Sequence, residues 1–466
     1  MTAGNAVTDS ITSRRFWTVL LAITALSLVW RIVFILVWRD GIFIWGDAYF
    51  YHESGRQLAE GVGWVNPLEY NIDGTQNPAA DHPPLYILFL GFWSWIGLAG
   101  PTAHMILTAI FISSPMVIMT ALAAREFGGN RLGIIAGLLA AIYPNIWSWD
   151  GTILSEILAM LFLSVTVYFV YRFWNRPSFA GAALMGLSLS LATFSRAELL
   201  LMSMLVITPM ILLVKTWDWR TRLSALVIAG VTSAAVLAPW VAFNLSRFEN
   251  RVFLSEGYQV TLATSTCDAT YYGEFTGYWS ITCPQDFLAE EGLTQENSDQ
   301  SERSAVFMEK SIEYIEDNIT RLPTVVVVRW LRIFGLWKPV QQSDVDAFLE
   351  GRDLWVTKVA QTSSYLFMAL AAVGIVIMRR RRIPILPLVG PLIAIFITIT
   401  ITFAQNRYRA SVEPAIAILA AVAVEQMVRG WLSLRDDPED VEVDSTLDGR
   451  ETDGPEADGQ AELVGV

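Results

Sequence analysis

Residues 355–404 read WVTKVAQTSSYLFMALAAVGIVIMRRRRIPILPLVGPLIAIFITITITFA. Two apolar runs, 355–378 and 383–404, flank the four arginines Arg379 to Arg382. Each run is long enough to cross about 30 Å of hydrocarbon as a helix. Loops rich in Lys and Arg stay in the cytoplasm, so the arginine block marks the inner side. The stretch therefore reads as a membrane hairpin that turns inside the cell.

Eight more runs of spanning length lie outside this hairpin: 16–38, 103–124, 131–149, 151–171, 178–195, 198–214, 222–243 and 412–430. Composition agrees, with 53% hydrophobic residues, only 17% charged and a mean hydropathy of +0.43. Soluble domains carry about a quarter charged residues. The expected fold is an all-α polytopic membrane protein with about ten transmembrane helices, interfacial helices and a small extracytoplasmic domain. The first run is too long for a signal peptide and reads as an anchor. Net charge is −13, much of it in 435–466, which reads as an acidic, disordered cytoplasmic tail. Apart from Arg379–Arg382 no basic cluster appears, so no nucleic-acid partner is expected.

An eleventh apolar stretch, 83–99, decides the threading. If it crossed, Arg125 with Arg131, Arg172 with Arg176, and Arg379–Arg382 would all face outward. If it does not cross, these and the Lys215–Arg222 loop all face inward. The stretch is therefore expected to be interfacial or re-entrant, entered through Pro83-Pro84. Both termini are then cytoplasmic. Residues 1–243 form an N-terminal module with a first outer loop at 39–102. Residues 244–354 form the small outer domain and 355–434 the C-terminal spans. Cytoplasmic loops are short, and no G-x-x-x-x-G-K-[ST] or G-x-G-x-x-G motif offers a nucleotide site. Within 244–354, Cys267 and Cys283 are expected to form a disulfide on the oxidising side, with two free thiols as the alternative. Arg329 and Arg332 interrupt the apolar run 323–337. Each would cost about 2.5–3.5 kcal/mol in a span centre, which favours an interfacial helix.

Ionisable residues at the outer ends of spans are the candidate chemistry, since charges at that depth are costly and usually functional. Asp47 opens an amphipathic helix over 47–60, with Tyr51, Gly55 and Leu58 at helical spacing; it is either an N-cap or a base toward an acceptor hydroxyl. His52 follows in the same helix. Asp81-His82 closes the loop, and His82 is either a plain surface histidine or a phosphate-holding imidazole. Glu156 is either a helix-start carboxylate or a site acid. Arg196 with Glu198, Arg247, Arg332, Arg407 and Arg409 complete the set, although Arg409 and Glu413 also fit a simple i, i+4 ion pair. Arg31 is the most inward of the doubtful charges, and a side chain of its length can snorkel.

Together these residues resemble a known pattern. Gly46-Asp47-Ala48-Tyr49-Phe50-Tyr51-His52, His82-Pro83-Pro84-Leu85-Tyr86, Ser155-Glu156, Ser195-Arg196-Ala197-Glu198, Pro239-Trp240, Asn244-Leu245-Ser246-Arg247-Phe248, Arg407-Tyr408-Arg409 and Glu413-Pro414 follow one another in order over about 16–430. The chain is similar to the GT-C class of integral membrane glycosyltransferases, particularly bacterial members grouped with the protein O-mannosyltransferase and lipid A aminoarabinose transferase families. That resemblance implies a polyprenyl-phosphate sugar as donor and a glycan, lipid or protein hydroxyl as acceptor, with membrane lipids around the site. It places the catalytic carboxylate at Asp47 and a second acid at Glu156. His82 stands where relatives often carry lysine near the donor phosphate. Arg407 and Arg409, then Arg247 and Arg332, are further candidates to hold that phosphate. A divalent cation is a candidate cofactor, and zinc is not expected. The rival reading is a polytopic lipid or sugar transporter, which calls for charges near mid-bilayer and paired broken helices.

Overall fold

A computed structural model describes residues 11–295 and 297–436. The expected tail 435–466 lies outside the described residues beyond Asp436. Among the described residues the chain is helical throughout, with a single bridge pair, Val65 and Pro78. Six of the helices among the described residues are long and apolar enough to cross a membrane: Ser13–Arg39, Pro101–Ile142, Glu156–Asn175, Trp219–Leu245, Leu354–Arg380 and Glu413–Trp431. Leu85–Trp95, Phe179–Thr193, Ala197–Leu212 and Leu386–Ile401 are shorter apolar helices.

Several boundaries move from the sequence reading, each for a local reason. The segment Pro101–Ile142 doubles back at Gly129, whose φ of 79° only glycine adopts freely. Its two arms touch through small residues. A Cβ on Gly133 would lie 2.9 Å from the Ala121 carbonyl oxygen, and one on Gly137 3.1 Å from the Ala121 Cβ. The second arm ends at Ile142 rather than 149, because Pro144 stops the ladder; Pro144–Trp147 and Ser148–Gly151 then form short turns. The next helix accordingly starts at Glu156, not 151. The expected span 198–214 is broken into a 3-10 turn (Ala197–Leu201), a π turn (Ser203–Ile207) and Thr208–Leu212. Pro209 has no N–H for the turn before it.

The stretch 83–99 forms the helix Leu85–Trp95, eleven residues long. At 1.5 Å per residue it rises about 16 Å, half the hydrocarbon thickness. It packs on the helix Asp47–Ala59 at Gly55 and Gly91, where a Cβ on Gly55 would lie 2.8 Å from the Leu90 Cβ. Bare glycine lets the two backbones cross at contact distance. The 244–354 segment is a set of helices, among them Gly257–Ala263, Gln300–Asp317, Leu322–Ile333 and Pro339–Leu349. A disulfide joins Cys267 to Cys283. Arg329 and Arg332 are both 1% exposed; Arg329 donates to the carbonyls of Thr400, Ile401 and Ser265.

Arg31 does not snorkel. It is fully buried and pairs with Asp150, whose other oxygen accepts from Ser113. The pair ties the first helix to the turn at Ser148–Gly151.

Candidate active site

The functional side chains are delivered by helix starts and by the segments between helices. Gly46 adopts φ 59° and caps the helix at Asp47, so Asp47 is its first residue and its carboxylate is free of capping duty. Ser155 precedes the helix that opens at Glu156, and its hydroxyl accepts a 2.9 Å hydrogen bond from Tyr51. Arg407 lies in the short helix Asn406–Ala410, just before the last apolar helix. These three elements meet.

Arg407 is the centre of the meeting. Its guanidinium donates to Asp47 at 2.6 Å and to Glu156, and a third carboxylate, Glu350, stands 3.5 Å away. Arg196 reaches Glu156 and Glu198, each at 2.5 Å, and lies 5.1 Å over the Tyr408 ring. His82 Nε2 is 3.6 Å from Asp47, with its ring stacked 4.5 Å from Tyr51. Glu156 is fully buried, whereas the Asp47 side chain is 43% exposed.

Charge sets the behaviour of these groups. Burial raises the Asp47 carboxyl, but Arg407 and His82 beside it outweigh burial and hold it well below the usual carboxylate range. Burial pushes Glu350 up to about 7, against the pull of Arg407 and with the nearby acids Glu156 and Asp47 adding to the rise. Burial disfavours the Arg407 cation, yet Glu156, Glu350 and Asp47 together keep it firmly charged. The cluster thus holds one ionised and accessible acid, one acid poised near neutrality, and arginines that an incoming anion would have to share.

Glu350 was not singled out from sequence. Four residues before Leu354, at the start of an apolar helix, it is, like the other acids, a charge at the end of an apolar run. It is held in place by its neighbours. Arg39 donates to the carbonyls of Gly151 and Gly351, and Arg352 donates to Ser148 and lies 4.4 Å over the Trp149 ring. Gln405 donates to Glu350 at 2.5 Å.

Other candidates sit elsewhere. Arg409 pairs with Glu413 at 2.7 Å and donates to the Ile333 carbonyl, the simple i, i+4 pair. Arg247 donates to the carbonyls of Trp64 and Ala79. Arg332 donates to the Thr276 carbonyl and to Gln342. His52 faces His104, Nδ1 to Nδ1, at 3.0 Å. Asp81 sits between the two regions: its side chain meets Gln300 of the 244–354 segment and feels the charges of His82 and Asp47. No group of three or more His, Cys, Asp or Glu side chains close enough to hold a metal ion occurs among the described residues. The positive charge between Asp47 and Glu156 is the Arg407 guanidinium.

Comparison with known proteins bears on this arrangement. Residues 81–243 match the family model for dolichyl-phosphate-mannose-protein mannosyltransferase. No curated protein sequence matches the chain significantly. Among solved structures, an Archaeoglobus fulgidus oligosaccharyltransferase tethered to an acceptor peptide is 17% identical over 91% of this chain and 51% of its own, with a TM-score of 0.52. The oligosaccharyltransferase AglB from the same organism, in complex with an inhibitory peptide and a dolichol-phosphate, is 18% identical over 94% of this chain and 53% of its own, with a TM-score of 0.50. ArnT from Cupriavidus metallidurans, bound to undecaprenyl phosphate, gives a weaker likeness: 14% identity over 90% of this chain and 79% of its own, TM-score 0.43. The chain spans about half the length of the oligosaccharyltransferases it matches. In sequence over 81–243 and in fold over most of its length, the chain is similar to the GT-C class of integral membrane glycosyltransferases.

Proposed function

We propose that the chain transfers a sugar from a polyprenyl-phosphate-linked donor to an acceptor hydroxyl, on the extracytoplasmic side of its membrane. The observation that carries this reading is Arg407, a single guanidinium shared by an accessible carboxylate, Asp47, and a fully buried one, Glu156. AglB, similar in fold, was solved with a dolichol-phosphate, which supports the lipid-phosphate class of donor. Short basic loops on the opposite side leave no place for a nucleotide sugar, which agrees with an outward-facing site.

Asp47 is ionised but weakly basic while Arg407 holds it, and a general base works best when its pKa nears the operating pH. A donor phosphate that engages Arg407 loosens that hold and raises the basicity of Asp47. The acceptor hydroxyl oxygen then attacks the anomeric carbon, with inversion, as its proton passes to Asp47. The bond from that carbon to the phosphate oxygen breaks, and the electron pair leaves with the polyprenyl phosphate. Arg407 and His82 stabilise the charge that develops on the leaving phosphate. Glu156 and Glu198 orient Arg407 and Arg196.

The test is mass spectrometry of lipid-linked sugars and envelope glycans in cells lacking the protein. Accumulation of one polyprenyl-phosphate sugar, with loss of that sugar from an envelope glycan, is expected and names the donor. Unchanged pools of every such lipid would overturn the proposal.

A further inference from the structure

Beyond the Arg407 cluster, residues 79–82 are stitched to the 244–354 segment. The Glu256 N–H donates to the Ala80 carbonyl and the Ala80 N–H to Gln300 Oε1, both at 2.8 Å. Gly257 lies so near Asp81 that a Cβ there would stand 2.9 Å from the Asp81 carbonyl oxygen. Two carboxylates are enclosed in this junction. Glu256 is 2% exposed, and its Oε2 has no hydrogen-bond partner. Asp81 Oδ2 is likewise buried and unpartnered. Ser304, 2% exposed, faces Glu256 with a hydroxyl that makes no full hydrogen bond.

The surroundings offer these acids almost no compensation. The charged groups acting on Glu256 are Asp81 and Asp299, both acids. His82 is the one basic neighbour acting on Asp81. The arginines of this junction are spent elsewhere, Arg247 on the Trp64 and Ala79 carbonyls and Arg303 on the Ser298 carbonyl and Glu69. Burial raises both carboxyls, and Asp81 raises Glu256 further. A buried carboxylate is tolerated when it is paired or when it coordinates a metal ion. The three unpartnered atoms named here, Asp81 Oδ2, Glu256 Oε2 and Ser304 Oγ, are all oxygens, the donor set of a hard cation. Carboxylate and hydroxyl oxygens in irregular array suit calcium, whose coordination is flexible, better than magnesium, which demands a near-ideal octahedron.

We propose that Asp81 Oδ2, Glu256 Oε2 and Ser304 Oγ hold a calcium ion that clamps residues 79–82 to the 244–354 segment. Asp81 immediately precedes His82, which faces Asp47. The ion therefore positions one wall of the active site without touching the reacting atoms.

The test uses the full chain in detergent, first stripped with a chelator. Thermal unfolding is followed with added calcium chloride, and with magnesium or potassium chloride for comparison. A saturable rise in Tm of at least about 2 °C with calcium is expected, since a ligand of the native state stabilises by mass action. Glu256→Gln and Asp81→Asn should each abolish that rise. In chelator both variants should melt no lower than the parent, because each removes an uncompensated buried charge; a lost calcium response then cannot be misfolding. A calcium response retained in both variants would overturn the proposal. So would a Tm indifferent to calcium that climbs as pH falls, which is the behaviour of two acids sharing a proton. Calcium binding is read here without any transfer assay, so it stands or falls apart from the proposed reaction.

Discussion

Arg407 and Asp47 lie 360 residues apart in the chain and share a 2.6 Å ion pair at the heart of the cluster. The same guanidinium also holds Glu156, which has no exposure to water. Breaking a buried pair from one side leaves an uncompensated charge and costs about 3–5 kcal/mol. Arg407 therefore serves stability and the proposed chemistry together, and variants can separate the two.

Asp47→Asn removes the proposed base while leaving the half-exposed side chain its size and much of its hydrogen bonding. Transfer to an acceptor in isolated membranes should fall by about 10²–10⁴-fold, the range a general base contributes. Melting temperature should change little. Full activity in this variant would remove Asp47 from the mechanism.

Arg407→Met should both abolish transfer and destabilise the protein, by leaving buried Glu156 with Arg196 as its one remaining guanidinium and Glu350 without its ion-pair partner. The double variant Arg407→Met with Glu156→Gln should recover much of the lost stability and none of the activity. Recovery of transfer would mean that Arg407 acts only as a counter-ion.

Glu350 makes the cluster sensitive to pH. Its folded-state value of about 7 lies above the ordinary carboxyl value of about 4.3, so the folded protein binds this proton more tightly than the unfolded chain does. The stabilisation from that proton is complete below the ordinary value and is lost as pH rises toward 7. Glu350→Gln should flatten the fall in Tm between about pH 5 and pH 8. At pH 8 it should raise stability by an amount on the order of 2–3 kcal/mol or less. A parent-like pH profile in the variant would assign the titration elsewhere.

Arg31 and Asp150 form a second buried pair, away from the cluster. Arg31→Met alone should cost about 3–5 kcal/mol, and Arg31→Met with Asp150→Asn much less. Thermal unfolding of the two variants side by side decides it. Equal melting points would show that the two charges do not compensate each other.

Much of the molecule was legible in the chain itself. Apolar runs of about twenty residues fix helices, because a backbone in hydrocarbon must satisfy its own hydrogen bonds. The stretch 83–99, set apart by the sign of the flanking loops, holds a helix of eleven residues, about half the length a crossing needs. Helix ends were less legible. The stop at Pro144 and the broken helix around Pro209 follow from single prolines inside runs that are otherwise uniformly apolar. Asp47, Glu156, His82, Arg196 and Arg407 could be singled out as charges at run ends, and the structure brings them together. The same criterion gave Arg247, Arg332 and Arg409, whose side chains satisfy backbone carbonyls or a neighbouring acid elsewhere, and it passed over Glu350.

The sequence by itself determined that this is a helical membrane chain and which residues were costly enough to need a partner. Hydrophobic length and charge are local properties, so they survive in a linear reading. Only the tertiary structure decided who partners whom: Arg407 with Asp47 and Glu156, Arg31 with Asp150, Arg409 with Glu413. Pairing depends on where helices cross, and crossings are set by contacts such as Gly55 against Leu90 and Gly133 against Ala121, which no charge or hydropathy pattern encodes.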